Sequence, residues 1–505
     1  MSVDSSDLSK LVSSAALVFI GAFFSSFAGL FERVIIGRLL SPSEYGEFSI
    51  ALAVFTLGAT LGAAGFTQGV PRYMARFDDM RDIRGTWLTG LLISGGFSIL
   101  IAAVLIAGSP ILTPRLFELD RAWFLLIIFV VAIPARAVLK IGVGAIRGRE
   151  NTVYKVLTQN ICYPVLRLSL ISGLLLAGVG LIGTGIGYLV ALVASIVLTY
   201  YSLNRLFPLV GEFHLHSREM TSFSAPLVVS TIIEVLLTQT DTMMLGYFRP
   251  SAEVGIYNAA YPLAGSLTVV LGAFGYLYLP VASRLDSDEE GSVERVYELT
   301  TKWVYILVFP LFVLLLTYSR EIITLVFGVQ YGTGDIALTL LAVGFFTNAA
   351  VGRSRETLSA LGATKFLLVS SAIAFIINLV ANIVLIPTYG FVGAATASAG
   401  SFIALNFVVY LFLRIQFKIT PFSQRSIKTF VALPVVLLPI GFVVRVALSS
   451  SLLMIISFGV ICGILTIGIV LIVGGIEEED IALIEFIENY VNIRIPYIRR
   501  FIPDE

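Results

Sequence analysis

Fourteen stretches of this chain are each apolar over enough residues to cross a lipid bilayer, and no other feature of the sequence restricts the fold as strongly. A hydrocarbon layer about 30 Å thick is crossed by roughly 20 helical residues, each rising about 1.5 Å. Runs that meet this need lie near 11–36, 48–70, 86–107, 122–140, 156–178, 181–201, 223–247 and 256–280. Six more lie near 301–318, 336–352, 366–386, 391–413, 428–448 and 452–474. Two stretches, 181–200 and 452–474, carry no charged residue at all. Only 13% of the 505 residues are charged and 57% are hydrophobic, whereas a water-soluble domain carries roughly 25% charge. The chain lacks the polar residues to cover itself in water. The expected class is an all-α polytopic membrane protein with about 14 transmembrane helices, spans 1 to 14 in chain order, and no soluble domain.

The basic residues test that number. With a cytoplasmic N-terminus, the even-numbered connections and the C-terminal tail face the cytoplasm. These segments, with Lys10, hold 25 of the 33 Lys and Arg residues. The outward side or outer span ends hold seven: Arg33, Arg38, Arg115, Arg121, Arg249, Arg320 and Arg445. Arg167 lies inside span 5. This is the positive-inside asymmetry of a correctly counted topology, because a missed span would reverse every later connection. The expectation is a multi-pass protein of the cell (plasma) membrane with both termini cytoplasmic and only short outward connections. Met1–Lys10 has no basic segment ahead of the first run and no small-residue cleavage site, so span 1 is expected to be retained. The tail opens with Glu477, Glu478, Glu479 and Asp480, and Ile481, Ile484, Ile487 and Val491 then share one face. It reads as an amphipathic helix on the cytoplasmic membrane surface.

The chain is also internally duplicated. A shift of 209 residues lays Gly37 over Gly246, Glu44 over Glu253, Gly46 over Gly255, Phe48 over Tyr257, Ala51 over Ala260 and Pro71 over Pro280. A shift of 210 lays the string from Gly180 over the one from Gly390. Span 1 thus corresponds to span 7 and span 6 to span 12. A displacement of six helices keeps the orientation, so the copies are parallel repeats related by an axis along the membrane normal. The expected organisation is an N-terminal six-helix bundle over 1–210, a C-terminal six-helix bundle over 211–420, helices 13 and 14 over 421–475, and the tail over 476–505. Two bundles enclosing a cavity suit an alternating-access transporter.

Ionisable groups in hydrocarbon are costly unless they face a watery cavity or pair with one another, which makes them pointers to function. Glu32 and Arg33 lie in span 1, Arg136 in span 4, Arg167 in span 5, and Glu234 and Asp241 in span 7. Under the 209-residue shift Glu32 falls on Asp241, so both carboxylates are expected at a central cavity near the repeat axis. These six residues form the candidate substrate-binding set. Arg445 lies near the outer boundary and is expected to snorkel. Gln68, Gln159, Asn160, Asn348, Asn378, Asn382 and Asn406 read as interhelical hydrogen-bonding residues rather than ligands. Cys162 and Cys462 both sit in apolar runs and read as small core residues. No nucleotide-binding, hydrolase or zinc motif is found in the sequence, so no catalytic residue, metal or cofactor is expected. The intramembrane carboxylates are of the kind that binds a coupling ion, sodium or a proton. A net charge of zero argues against a nucleic-acid partner.

Several strings carry a family resemblance. Arg33–Leu57, RVIIGRLLSPSEYGEFSIALAVFTL, resembles the first-helix signature of polysaccharide-export flippases. The likeness continues through Gly69–Phe77, Ala145–Lys155, Leu358–Lys365 and Pro387–Ser398, and so covers nearly the whole chain. Those proteins belong to the multidrug, oligosaccharidyl-lipid and polysaccharide exporter superfamily. The resemblance implies two six-helix bundles with two further helices. It also implies a flippase that moves a lipid-linked glycan, on a polyprenyl or dolichyl phosphate, from the cytoplasmic to the outer leaflet. Arginines in the cavity would neutralise the phosphate bidentately. Membrane lipid and glycan-assembly enzymes would be its partners. Relatives in peptidoglycan precursor export carry an arginine–aspartate pair in helix 1, where this chain has Glu32 and Arg33 in reversed order. One alternative is a cation-coupled drug antiporter of the same superfamily, which shares the fold and wants an acidic cavity. Another is a membrane glycosyltransferase or glycan ligase, against which the short outward connections argue. The expectation is a transporter, not an enzyme.

The topology makes a direct prediction. In a background lacking Cys162 and Cys462, single cysteines placed beside Arg84 and Lys428 react with an impermeant thiol reagent only from the cytoplasmic side. One placed beside Arg249 reacts only from outside. External labelling near Lys428 would refute fourteen spans.

Overall fold

A computed structural model describes residues 5–63, 65–272, 292–423, 426–447, 451–474 and 480. Regular structure among the described residues is entirely helical. The N-terminal part runs α1 (Ser5–Leu39), α2 (Pro42–Ala63), α3 (Phe66–Met74), α4 (Met80–Leu116), α5 (Ala122–Gly148) and α6 (Thr152–Lys155). A π-helical turn (Val156–Cys162) leads into α7 (Tyr163–Leu176), followed by α8 (Leu181–Leu206), α9 (Ser217–Phe248) and α10 (Ser251–Gly265). Then come α11 (Ser292–Thr317), α12 (Ser319–Phe327), α13 (Asp335–Ala350), α14 (Ser354–Ala360), α15 (Thr364–Phe412), α16 (Ser426–Ala447) and α17 (Leu452–Ile472).

Thirteen continuous helical stretches among the described residues are long and apolar enough to cross a membrane. The longest, Thr364–Phe417, holds two spans joined at Gly390, whose φ of 57° and ψ of −135° break the helix. With that double stretch the number reaches the expected fourteen. Side chains such as Leu176, Val197, Phe442 and Ile472 stand exposed on these helices. So much outward apolar surface would drive aggregation in water and belongs against lipid tails. The chain is an all-α polytopic membrane protein.

Two expected spans carry local breaks, each with a cause in the sequence. Span 2 divides into α2 and α3 at Gly65, which has φ 74°. A Cβ at Gly65 would lie 2.4 Å from the Ser224 carbonyl oxygen of α9, so only glycine fits there. Span 5 contains the π turn just before Pro164. Proline has no N–H to donate to the carbonyl four residues back and its ring crowds that carbonyl. The strand of bonds adjusts by a residue, and the Tyr163 N–H reaches Thr158 O instead. One extra residue turns the preceding positions by about 100° relative to α7.

The chain forms two compact units. The first comprises Met1–Ala259, Val326–Tyr331 and Phe375–Ala397; the second comprises Ala260–Leu325, Gly332–Ala374 and Ser398–Glu505. These units follow packing, whereas the expected boundaries at 210 and 420 follow the repeat, and the two partitions differ. In the first unit Phe48 and Phe55 of α2, Phe129 of α5 and Tyr188 of α8 pack in tilted and edge-to-face pairs with ring centroids 5.2–6.0 Å apart. A second core gathers Phe66, Met74, Ile83, Trp87, Ile141 and Leu203. The 326–331 segment is tied to the end of α1, where Arg38 Nε donates to Val326 O at 2.8 Å and Tyr331 Oη donates to Gly37 O at 2.9 Å. In the second unit Tyr305, Phe309 and Phe312 of α11 pack on Phe346 of α13, and Tyr305 also meets Phe430 of α16. Asp480 belongs here too. The remainder of the expected surface helix lies outside the described residues. Asp480 itself, expected among acids opening that helix at the surface, is fully buried. It accepts from Lys302 Nζ at 2.6 Å and from Trp303 Nε1 at 2.7 Å.

The duplication is visible in the backbone. Within the first unit α2 crosses the start of α10 at Gly46 and Gly255, which are equivalent in the repeat. A Cβ at Gly46 would lie 1.8 Å from Ser251 O, and one at Gly255 would lie 2.0 Å from Pro42 O. Pro42 and Ser251 are themselves equivalent under the 209-residue shift, so the contact is reciprocal, as a two-fold relation requires. Gly180, before α8, has φ 65° and ψ −149°, nearly the backbone of Gly390. Pro280, matched to Pro71, lies outside the described residues.

Gly46→Ala and Gly255→Ala are each expected to destabilise the detergent-purified protein in a thermal melt by about 1–3 kcal/mol or more, the usual cost of overpacking. Gly95→Ala, at a helical position with nothing within 4 Å, is expected to stabilise by up to about 1 kcal/mol through helix propensity. A wild-type melting temperature for Gly46→Ala would remove the close contact from the argument.

Candidate functional site

The first intramembrane charge of the chain is neutralised by another. Glu32 of α1 is only 4% exposed and accepts from Arg167 Nε of α7 at 2.5 Å. The Arg167 Nη1 donates to Tyr188 Oη of α8 at 3.0 Å, and the guanidinium lies over the rings of Tyr163 and Tyr188, 5.1 and 4.9 Å from their centroids. Carboxylate, hydroxyl and two aromatic faces thus surround a cation that lipid could not hold. Arg167 had been expected to find its anion in a substrate; the structure supplies that anion from Glu32. Arg33 stands half-buried beside it.

Asp241 of α9 is 1% exposed and sits in a second, separate cluster. It accepts from Tyr257 Oη at 2.8 Å, from Asn378 Nδ2 at 3.0 Å and from Asn382 Nδ2 at 2.6 Å. The two asparagines, one helical turn apart on α15, are linked by a further bond of 3.0 Å. Span 1 therefore meets span 5 through Glu32 and Arg167, and span 7 meets span 11 through Asp241 and Asn378. The partner positions are 211 residues apart. The repeat reappears as a contact, with a guanidinium in one copy and amides in the other.

A cavity lies elsewhere in the first unit. It has a volume of about 200 Å³, and α5 lines it with Arg136, Lys140, Gly144 and Arg147. Spacings of four, four and three residues put these on one helical face. Gln159 of the π turn and Tyr163 of α7 form the opposite wall, and Thr67 in the first turn of α3 contributes as well. The guanidinium of Arg136 lies 4.7 Å from the centroid of Tyr163. Among the described residues no carboxylate lines the cavity. Arg136 and Lys140 are half-buried and Arg147 is exposed. Thr67 belongs to the first turn of α3, the end at which a helix carries its partial positive charge. The enclosed charge is positive.

Of the six expected residues, the structure brings Glu32 and Arg167 together and places Arg136 in the cavity. Tyr163 touches both Arg136 and Arg167 and so connects the two groups. Glu32 and Asp241 were expected to line one central cavity, but both are buried in helix–helix bonds and neither borders the cavity found here. Glu234 is exposed on α9 and does not line it either. Arg445 is exposed, with Nη1 3.4 Å from Leu316 O, as a snorkelling arginine would be. Asn406 donates to Thr347 Oγ1 at 2.7 Å, the interhelical role expected of it. Sequence reading passed over Lys140, Arg147, Tyr163 and Tyr188. The face shared by Arg136, Lys140 and Arg147 was legible in the spacing. The wall of Gln159 and Tyr163 was not, because it depends on the π turn.

Comparison with known proteins adds the lineage. The chain is 29% identical over 199 residues to the probable low-salt glycan biosynthesis flippase Agl15 of Haloferax volcanii, a match covering 39% of this chain and 41% of Agl15. The chain thus spans less than half the length of that relative. It is 23% identical over 395 residues to the probable flippase AglR of the same organism, covering 77% of this chain and 81% of AglR. Among solved structures, the lipid II flippase MurJ in an inward closed conformation superposes with a TM-score of 0.70 at 17% identity, over 90% of this chain and 98% of MurJ. At that identity the likeness is one of fold. Residues 35–333, more than half of the chain, match the model of the polysaccharide biosynthesis protein family. On these grounds the chain belongs to the polysaccharide biosynthesis protein family.

Proposed function

We propose that this protein is a flippase. It carries a lipid-linked glycan, on a polyprenyl or dolichyl phosphate, from the cytoplasmic to the outer leaflet by alternating access, for assembly of cell-surface polysaccharide or glycoprotein. Its family and its glycan-flippase relatives support that class. The observation that carries the reading is the positive charge that lines the cavity beside α5. A cation-coupled drug antiporter needs carboxylates free to meet its substrate. Here Glu32 is engaged by Arg167, and Asp241 is engaged by Tyr257, Asn378 and Asn382. Arg136 and Lys140 instead line a cavity that has no carboxylate among the described residues. An anionic headgroup satisfies that arrangement and a cationic drug does not. The sugar and phosphate would pass through a polar interior while the lipid tail stays in hydrocarbon. The driving gradient is proposed to be one of sodium ions or protons. Glycan-assembly enzymes would supply the substrate on one face and consume it on the other.

The test is reconstitution. Proteoliposomes are loaded with a labelled polyprenyl-diphosphate oligosaccharide, and its accessibility to an external glycosidase is followed. Protein-dependent exposure of the inner-leaflet pool is expected, without any effect on a neutral glycolipid. Ion-driven efflux of a cationic dye with no movement of the glycan would establish the antiporter instead. The pair Glu32–Arg167 gives a second readout. Removing one member of a buried pair costs about 3–5 kcal/mol, so Glu32→Gln and Arg167→Gln should each lower thermal stability as well as transport. A stable Arg167→Gln protein that binds no substrate would return Arg167 to the substrate site.

A further inference from the structure

We propose that residues 208–216, the connector between α8 and α9 that joins the two copies of the repeat, form a lipid-binding surface. The connector lies against the cytoplasmic leaflet and seats Phe213 and Leu215 at the boundary of headgroups and acyl chains. This holds whatever the protein transports.

One stripe of α4 faces outward. Leu92, Gly96, Ile99 and Ala103 are all exposed, and spacings of four, three and four residues put them on one helical face. A Cβ at Gly96 would meet nothing within 4 Å. Such an open stripe on a membrane-spanning helix meets lipid. Continued toward the start of α4, it passes through Thr89, Gly85 and Asp82, and there the connector covers it. The His214 N–H donates to Arg81 O at 3.0 Å, and the His216 N–H donates to Thr89 Oγ1 at 3.2 Å. A Cβ at Gly85 would lie 1.6 Å from His214 O, so the chain passes where only glycine leaves room. The connector therefore occupies the side of α4 on which lipid lies.

Its side chains alternate. Glu212 pairs with Arg81 at 2.7 Å, and the rings of His214 and His216 approach the Asp82 carboxylate at 3.5 and 3.0 Å. Phe77 also stacks on His216. The even-numbered residues thus turn to the protein, while Phe213 and Leu215 between them are 49% and 51% exposed. Polar groups inward and apolar groups outward are the arrangement of a segment lying in a membrane interface. The connector's backbone is provided for as well, since Arg84 Nε donates to Pro208 O at 2.8 Å and Arg84 Nη1 to Glu212 O at 3.3 Å. Irregular chain near hydrocarbon needs such partners, because water there is scarce. The depth agrees. Thr89 is less than one turn from the exposed Leu92, Trp87 lies on the covered part of α4, and Tyr201 near the end of α8 is exposed and accepts from Arg205. Tryptophan and tyrosine gather at the level of the headgroups.

The test reads what surrounds the two side chains. In a background lacking Cys162 and Cys462, Phe213→Cys, Leu215→Cys and, as a control in the exposed turn before α4, Asp78→Cys are each labelled with the fluorophore NBD. The full-length protein is placed in phosphatidylcholine nanodiscs with or without a lipid carrying a nitroxide high on its acyl chain. Both substituted residues are half exposed, so neither change empties the core. Labels at 213 and 215 are expected to lose fluorescence to the nitroxide lipid and to keep it against iodide, and the label at 78 to do the reverse. The seat is apolar, so raising the salt concentration should leave the pattern unchanged. Iodide quenching at 213 and 215 equal to that at 78 would show the connector facing water and overturn the proposal. Shielding from both quenchers would put the two side chains against protein, of this chain or of a second copy, and would overturn it as well.

Discussion

Inside a bilayer every charge needs a partner from the protein itself, and the pairing of Glu32 with Arg167 is where this constraint organises the most structure. One hydrogen-bonded ion pair joins α1 to α7, and Tyr188 extends it to α8. Of the two aromatic rings around the guanidinium, Tyr188 also fills the space among α2, α5 and α8, where it meets Phe55 and Phe129 edge to face. Displacing Arg167 would therefore disturb packing as well as charge. Isolated burial of either partner costs several kcal/mol in a low-dielectric medium, so the pair fixes the register of the helices that carry it.

The second copy of the repeat meets the same constraint with other chemistry. Asp241 occupies the position of Glu32, yet its partners on the equivalent helix are amides. A comparable divergence separates Glu44 from Glu253. Glu44 accepts from the Ser41 N–H while Ser41 Oγ accepts from the Glu44 N–H, a reciprocal cap on α2. Glu253 instead accepts from Arg249 and from the backbone N–H of Phe391 beside the kink at Gly390. What the copies share is backbone: the crossing of Gly46 and Gly255, and the similar dihedrals at Gly180 and Gly390. Glycine at these places is held by geometry, because a Cβ would strike a carbonyl or require a disfavoured φ. Side chains around that frame were free to change sign and type.

The cavity beside α5 departs from the general rule of compensation. Its cations are gathered where a ligand of opposite charge can complete them, and the π turn at 156–162 turns Gln159 toward that same space. A local irregularity caused by Pro164 thus builds one wall of that cavity. Lys302 shows the ordinary case by contrast, since its buried ammonium is matched by Asp480 from the chain after α17.

How much of this was legible beforehand follows from the range of each interaction. The apolar spans and the duplication are properties of composition and period, and the sequence by itself determined them. It also marked Glu32, Arg167 and Asp241 as groups that lipid cannot hold alone. It did not determine their partners. Glu32 and Arg167 are 135 positions apart, and Asp241 and Asn382 are 141 apart; equivalence in the repeat suggested instead that the two carboxylates share a cavity. Which helices touch is set by the joint packing of many side chains, and a one-residue change in helical register turns a face by about 100°. Only the tertiary structure decided that Glu32 closes on Arg167, that Asp241 closes on two asparagines, and that Arg136 and Lys140 are the charges left facing an open cavity.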